Sequence, residues 1–439
     1  MTVPRKAAGI RKVAVAVAVG ALSLASCTGG GTPTAADDGP DSGSVTITYL
    51  VGQPENPSDA KLIEQDIDSF EAKNSGITVE LKTINPDSVR TVLQTQLRSG
   101  SGPDVFGYDT GPGFAGVLAD AGLLYDLTGA YEKNGWKIYD WAKQRVTFDG
   151  KILGVPDQVE EVGVYYNKDI FDKYSLAPPK DLADFARIAD TLKSNGVTPL
   201  SFGNKEGWQG GHILSMALSS AVGQAGMEDL LAGRKSWADP EVVDAISLFF
   251  DQYQKAGYLP KSPNAITGDN ANALFYSGKA AMTPTGTWLV RDIQSTVKFE
   301  VGFFPFPAPD GKGIFAGGLG GGTFVSAKTR HPDAAVKLLD YLVSAEHGRW
   351  QVEKYHTIPA FPVDVQGADT EPLFGQILAD TAKISSGEGE FGFNIDVLTN
   401  DEFNKAMWEG LQSVLVGTKT PRQVADELQE AFEPPTAGE

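Results

Sequence analysis

The chain has 439 residues, 41% hydrophobic and 10% aromatic, enough apolar material for folded cores and too much length for one, so two lobes are expected. Acidic residues outnumber basic ones, 56 to 37, and the net charge of −19 argues against nucleic acid or anionic lipid as a partner. Cys27 is the sole cysteine, so no internal disulfide or thiolate metal cluster can form, and His212, His331, His347 and His356 show no metal-ligand spacing.

The first residues read as an export signal. Arg5, Lys6, Arg11 and Lys12 precede Val13 to Ser26, a 14-residue apolar run too short to span a bilayer as a helix. Leu24-Ala25-Ser26-Cys27 resembles the bacterial lipobox, which implies cleavage before Cys27 and a diacylglyceryl thioether, with acyl chains such as palmitate, on its sulfur. The expectation is therefore a signal peptide at 1–26 and a lipidated cysteine with a flexible Gly/Thr/Pro/Asp-rich tether at 27–43. One acyl chain anchors only marginally, at roughly 0.8 kcal/mol per buried methylene, so two chains matter. Cleavage would leave 33 basic and 56 acidic residues, a net charge of −23. The chain is then exported and held outside the cell membrane by lipid alone. Its Ala/Gly bias points to a Gram-positive source.

Val45 to Val51 reads as a strand, Ser58 to about Gly76 as a helix with Leu62, Ile63, Ile67 and Phe70 on one face, and Ile77 to Thr83 as a second strand. A helix over Asp87 to Arg98 and a strand over Asp104 to Tyr108 complete a β-α-β-α-β order, the pattern of an open, mostly parallel sheet covered by helices. An Asp149-Gly150 hairpin turn follows, then strands through Gly154-Val155-Pro156 and Val162 to Tyr166. Helices are expected near 181–194, 208–222, 240–255, 270–277 and 286–295, with strands near 279–283 and 299–304. Gly317 to Gly322 leads into a strand at 323–327, and helices close the chain near 331–344, 346–354, 367–379, 401–416 and 421–431.

Several of these segments share an order and spacing with one family. They are Gly102-Pro103-Asp104-Val105-Phe106, then Gly154-Val155-Pro156 followed by Tyr165-Tyr166-Asn167-Lys168-Asp169, then Phe275 to Trp288 (FYSGKAAMTPTGTW), Gly317-Gly318 and Thr357-Ile358-Pro359-Ala360. Together they resemble the extracellular solute-binding proteins of sugar ABC importers, family 1, which includes the maltodextrin-binding proteins. The resemblance implies an α/β, two-lobed periplasmic-binding-protein-like fold, each lobe an open mostly parallel sheet flanked by helices, with hinge crossovers between them. Lobe 1 would comprise 44–157 plus 318–370 and lobe 2 would comprise 158–317 plus 371–435. The implied function is capture of a neutral mono- or oligosaccharide in the cleft and delivery to permease subunits served by a cytoplasmic ATPase. A monomer without cofactor or metal is expected.

Sugars are held by carboxylates and amides that pair with hydroxyls and by aromatic rings that cover apolar ring faces. The candidates are such residues at expected strand ends and helix starts. Gln53 and Glu55 follow the first strand, in a loop that either reaches the ligand or is simply exposed. Tyr108 and Asp109 end the third strand, whereas Asp104 is read as structural. Alternation lets only one of Glu160 and Glu161 face the cleft, and Glu160 is the candidate. Trp208 and Gln209 open a helix, with core packing as the alternative for Trp208. Trp288, after Gly286-Thr287, matches the stacking tryptophan of the family. Gly318 would admit close backbone approach or bending. Phe391, Phe393 and Asn394 lie in a Gly-rich loop with little evident structural reason to be apolar, and Trp408 lies in a helix. Trp136, Trp141, Trp237 and Trp350 are read as packing.

Two other classes combine the same residue types. An exported glycoside hydrolase needs two carboxyls about 5–10 Å apart, which adjacent Glu160 and Glu161 do not provide by adjacency. A ferric-ion binder would use the Tyr165-Tyr166 pair, but neighbouring strand residues face opposite ways. Triads, Walker loops and Rossmann fingerprints are absent from the sequence, and an enzyme is not expected.

Overall fold

A computed structural model describes residues 44–54, 57–385 and 389–434. Val45–Gly52, Ile77–Ile84 and Val105–Asp109 form parallel strands connected through the helices Pro57–Lys73 and Pro86–Ser99. Gly321–Val325 joins antiparallel to Val105–Asp109, and Gly154–Pro156 closes the five-stranded sheet beyond it. Alternation sends successive side chains to opposite faces. Tyr49, Val105 and Val325 enter one apolar cluster with Leu338 and Leu339 of the helix Pro332–Leu342. Their neighbours Leu50, Phe106 and Phe324 enter another with Val89, Leu93 and Leu97, which lie four residues apart on Pro86–Ser99.

The spine of the second sheet is the ten-residue strand Gln158–Asn167. Val301–Phe304, Ala316–Leu319, Ala280–Gly286 and Ile358–Pro359 all pair with it antiparallel, and Thr198–Leu200 pairs parallel to Ala280–Gly286. In each sheet a single strand runs against the rest, Gly321–Val325 in the first and Gln158–Asn167 in the second. The strands are therefore mostly parallel in direction, although the central place of the reversed strand makes most second-sheet pairings antiparallel. A large core around Phe249, Phe250, Trp237, Met216 and Leu411 covers this sheet.

The chain leaves the first sheet at Asp157 and returns to it at Gly320. These crossovers lie side by side. Glu160 is paired with Gly318, the Thr110 backbone N–H donates to the Gly320 carbonyl at 2.8 Å, and the Thr110 hydroxyl donates to the Leu319 carbonyl at 3.1 Å. Two sheets, each with its own apolar clusters, joined by paired strands make the fold two-lobed.

Several helices differ from expectation for local reasons. The helix starting at Trp208 runs on to Leu231, with a kink at Gly223, where φ is 70°. The 240–255 helix is present but passes through a wide turn at Ser247–Tyr253. The helix expected at 367–379 begins only at Pro372 and reaches Ser385, since a proline fits the first helical turn. Trp237 is fully buried against Phe403, Trp136 donates to Asp340 and packs edge-on to Tyr131, and Trp350 stacks on His347. Trp141 departs from the packing expectation, being 44% exposed beside Tyr139.

Glu161 points away from the cleft and is fully buried. One carboxyl oxygen accepts from the Thr381 hydroxyl at 2.6 Å, and the other has no hydrogen-bond partner. Burial lifts its pKa to about 7, the Thr381 bond pulls it down and nearby Asp380 adds to the rise. The folded state thus retains a proton that the unfolded chain releases from about 4.5 upward, so this group's contribution to stability falls as pH rises through 7. Glu161→Gln should match the parent near pH 5 and exceed it at pH 8, by up to about 3 kcal/mol at 1.36 kcal/mol per pKa unit. Denaturant unfolding at the two pH values checks this, and equal pH slopes for parent and variant would refute it.

Candidate functional site

A cleft of ≈ 740 Å³ opens where the two sheets' strand ends and helix starts face each other. From the first sheet come Gln53, Tyr108 and Asp109 at strand ends and Arg90 near the start of Pro86–Ser99. From the second come Trp208, Gln209 and His212 at the start of Trp208–Leu231, and Trp288 after Ala280–Gly286. Asp157, Glu160 and Gly320 line it at the crossover. Space beyond the carboxyl ends of strands is where open α/β sheets hold ligands.

One wall is aromatic. Trp208 and His212, one turn apart, have ring centroids 5.0 Å apart, and Trp288 lies 5.2 Å from His212 and 6.5 Å from Trp208. Trp288 folds back over its own strand end because position 286 is glycine, where a Cβ would sit 1.8 Å from the indole ring. The His212 Nε2 lies 3.1 Å from the Asn394 side-chain amide and 3.5 Å from the Asp396 carboxylate.

The opposite polar groups are acidic. Glu160 lines the cleft and accepts from the Gln158 amide at 2.8 Å. A Cβ at Gly320 would come within 2.2 Å of its second oxygen, so glycine there makes room for the carboxyl. Burial raises the Glu160 pKa to about 8; the Gln158 bond lowers it, and the charges of Asp109, Asp157 and Asp396 raise it. Asp109 accepts from Arg90 Nη2 at 2.7 Å and Nε at 3.1 Å. Arg90 in turn lies over the rings of Phe114 and Trp408, at 4.8 and 5.6 Å. Tyr108, beside this pair, has its hydroxyl pushed up to about 12, by burial first and by Asp109 second.

Of the candidates, Gln53, Tyr108, Asp109, Glu160, Trp208, Gln209, Trp288 and Asn394 come together around this cleft. Gly318 does not line it and serves as the backbone partner of Glu160. Phe391 and Phe393 are also outside the lining. Phe391 packs on the cluster around Phe303 and Phe374, and Phe393 packs on the core around Trp237, so their loop has a structural reason to be apolar. Trp408 lies behind Arg90 and Phe114 rather than in the wall. Asp104 is structural, accepting from Thr48 and Thr329. Glu55, Cys27, the 1–26 signal and the tether lie outside the described residues.

Sequence reasoning missed Arg90, Asp157, Glu206, Asp269 and Asp396 as cleft residues. Arg90 could have been found, since it lies one turn into a helix that follows a strand end. Asp396 could have been sought two residues beyond Asn394, where an extended chain returns to the same face. Tyr165 and Tyr166 fall on opposite sides of their strand, Tyr165 against Phe303 and Tyr166 against Phe171 and Phe304, and neither lines the cleft. Gly286→Ala should expel the Trp288 ring, changing the near-ultraviolet circular dichroism at a cost of about 1–3 kcal/mol. An unchanged spectrum would mean that the ring does not rest on Gly286.

A model of the bacterial extracellular solute-binding proteins matches residues 53–349. The multiple sugar-binding protein of Streptococcus mutans is 29% identical over 330 residues, 74% of this chain and 76% of its own. The maltodextrin-binding protein MdxE of Bacillus subtilis is 27% identical over 369 residues, 80% of each chain. Among solved structures, a chitin oligosaccharide binding protein superposes with a TM-score of 0.77 at 23% identity, covering 88% of this chain and 98% of its own. The family match spans well over half of the sequence, its curated relatives are of similar length, and the cleft lies where a two-lobed binder holds its solute. The chain belongs to the bacterial extracellular solute-binding proteins.

Proposed function

We propose that this protein is the substrate-binding component of a carbohydrate ABC importer. It captures a mono- or oligosaccharide between its lobes, 44–157 plus 318–370 and 158–317 plus 371–435, and hands it to permease subunits powered by a cytoplasmic ATPase. It works as a monomer, without turnover of the ligand, held to the outer face of a Gram-positive membrane by acyl chains on Cys27. The observation that carries this reading is the pairing, in one cleft, of the Trp208–His212–Trp288 wall with carboxyls and amides from both sheets. Rings cover the CH faces of a sugar while Asp109, Glu160 and Asn394 meet its hydroxyls. The sugar-binding and maltodextrin-binding names of the relatives support the same ligand class.

A thermal-shift panel of mono- and oligosaccharides tests the ligand class, because a ligand stabilises by RT ln(1 + [L]/Kd). Micromolar binding corresponds to about −8 kcal/mol. Trp288→Ala should then weaken the best sugar by about tenfold or more, roughly 1.4 kcal/mol, while unfolding remains cooperative. Calorimetry showing unchanged affinity would remove Trp288 from the site. Reducing ends released from an oligosaccharide by the parent, and lost in Glu160→Gln, would instead establish a hydrolase.

A further inference from the structure

The carboxyls of Asp109, Asp157 and Asp396 all lie close enough to Glu160 for their charges to act on it. Against this cluster the described lining offers one guanidinium or ammonium, Arg90, which is committed to Asp109 and to the rings of Phe114 and Trp408. Asp157 accepts from the Gln351 amide at 3.3 Å and Glu160 from Gln158, both uncharged donors. Arg145 is near enough to interact with Asp396, yet its guanidinium donates to the Val397 carbonyl. Asp396 is therefore singular. It is 2% exposed, it lines the cleft, its Oδ2 stands 3.5 Å from His212, and its Oδ1 has no hydrogen-bond partner.

A buried carboxyl oxygen without a donor is costly, and a cation seated in the cleft beside Oδ2 would offset that cost through its charge without having to reach Oδ1. A metal ion is a poor fit, because among the described residues no three carboxylates or imidazoles are placed to share one. A broader organic cation fits better. Its charge would face the acids, and Trp208 and Trp288, which line the same cleft, carry ring systems of the kind that attracts cations. We infer that the cleft selects a sugar whose otherwise neutral rings carry one basic nitrogen, with Asp396 as its principal counter-charge, and that it rejects sugar phosphates and uronates. This rests on the carbohydrate reading and replaces the neutral sugar expected from the sequence with a singly basic one.

Matched ligands test it by calorimetry: glucosamine and glucose oligomers in which a single ring carries a free amine, the N-acetylated forms of each, glucose and its oligomers, and glucuronate. The amine should bind about tenfold tighter than its acetylated or hydroxyl counterpart, and the margin should shrink between low and high salt as charges are screened. Asp396→Asn should erase the margin, read as the ratio of amine to neutral-sugar affinity within the variant. At pH 7 the amine should displace a proton from Glu160, making the heat depend on buffer ionisation, a dependence lost in Glu160→Gln. Neutral forms that bind as tightly as the amines, or a margin that survives Asp396→Asn, overturn this inference and leave the carbohydrate reading standing. No binding by any sugar overturns both.

Discussion

The backbone ladder between Gln158–Asn167 and Ala316–Leu319 is the constraint on which the rest depends. It carries the chain out of one sheet and, beside it, the return to that sheet, so the two cores are tied by hydrogen-bonded strands rather than by loose linkers. Pairing fixes alternation, and alternation sends Glu160 into the cleft and Glu161 into the core. One-residue slippage would exchange the acid that lines the cleft for the one sealed against Thr381. The short, glycine-rich return strand follows from the same constraint, since the Glu160 carboxyl and the Thr110 side chain both press against it.

Much of the fold could be read from the residues because its signals are local. The first five elements announce themselves through strand alternation and helix spacing, and their ends fall within a few residues of the observed ones. The aromatic wall was legible in part, as Gly286-Thr287-Trp288 and the glycine before Trp208 are local devices. The acids were less so. Asp157, Glu206 and Asp396 are far apart in sequence and meet only when the crossovers and the C-terminal segment are in place. Phe391 and Phe393 show the opposite failure: a glycine-rich loop looks like a surface until its core partners, among them Phe303 and Trp237 from far back in the chain, are known.

The same geometry bears on the other chemistries. The tyrosine pair occupies two packing environments on either side of one strand, which separates the hydroxyls that an iron site would have to bring together. The curated relatives are binding proteins, and the fold is theirs over most of its length.

Arg90 has a further consequence. Its guanidinium lies over both Phe114, beside the first sheet, and Trp408, on a helix of the second core, while Arg145 reaches across to the Val397 carbonyl nearby. Parting the lobes to release cargo means drawing a cation off ring faces, an interaction of about 0.5–2 kcal/mol. That seam enters the escape barrier whatever sugar is inside. On the carbohydrate-capture reading, the dwell time of a bound sugar would then depend in part on an indole outside the cleft lining, and changes at that seam would tune how long the protein holds its load separately from which load it chooses.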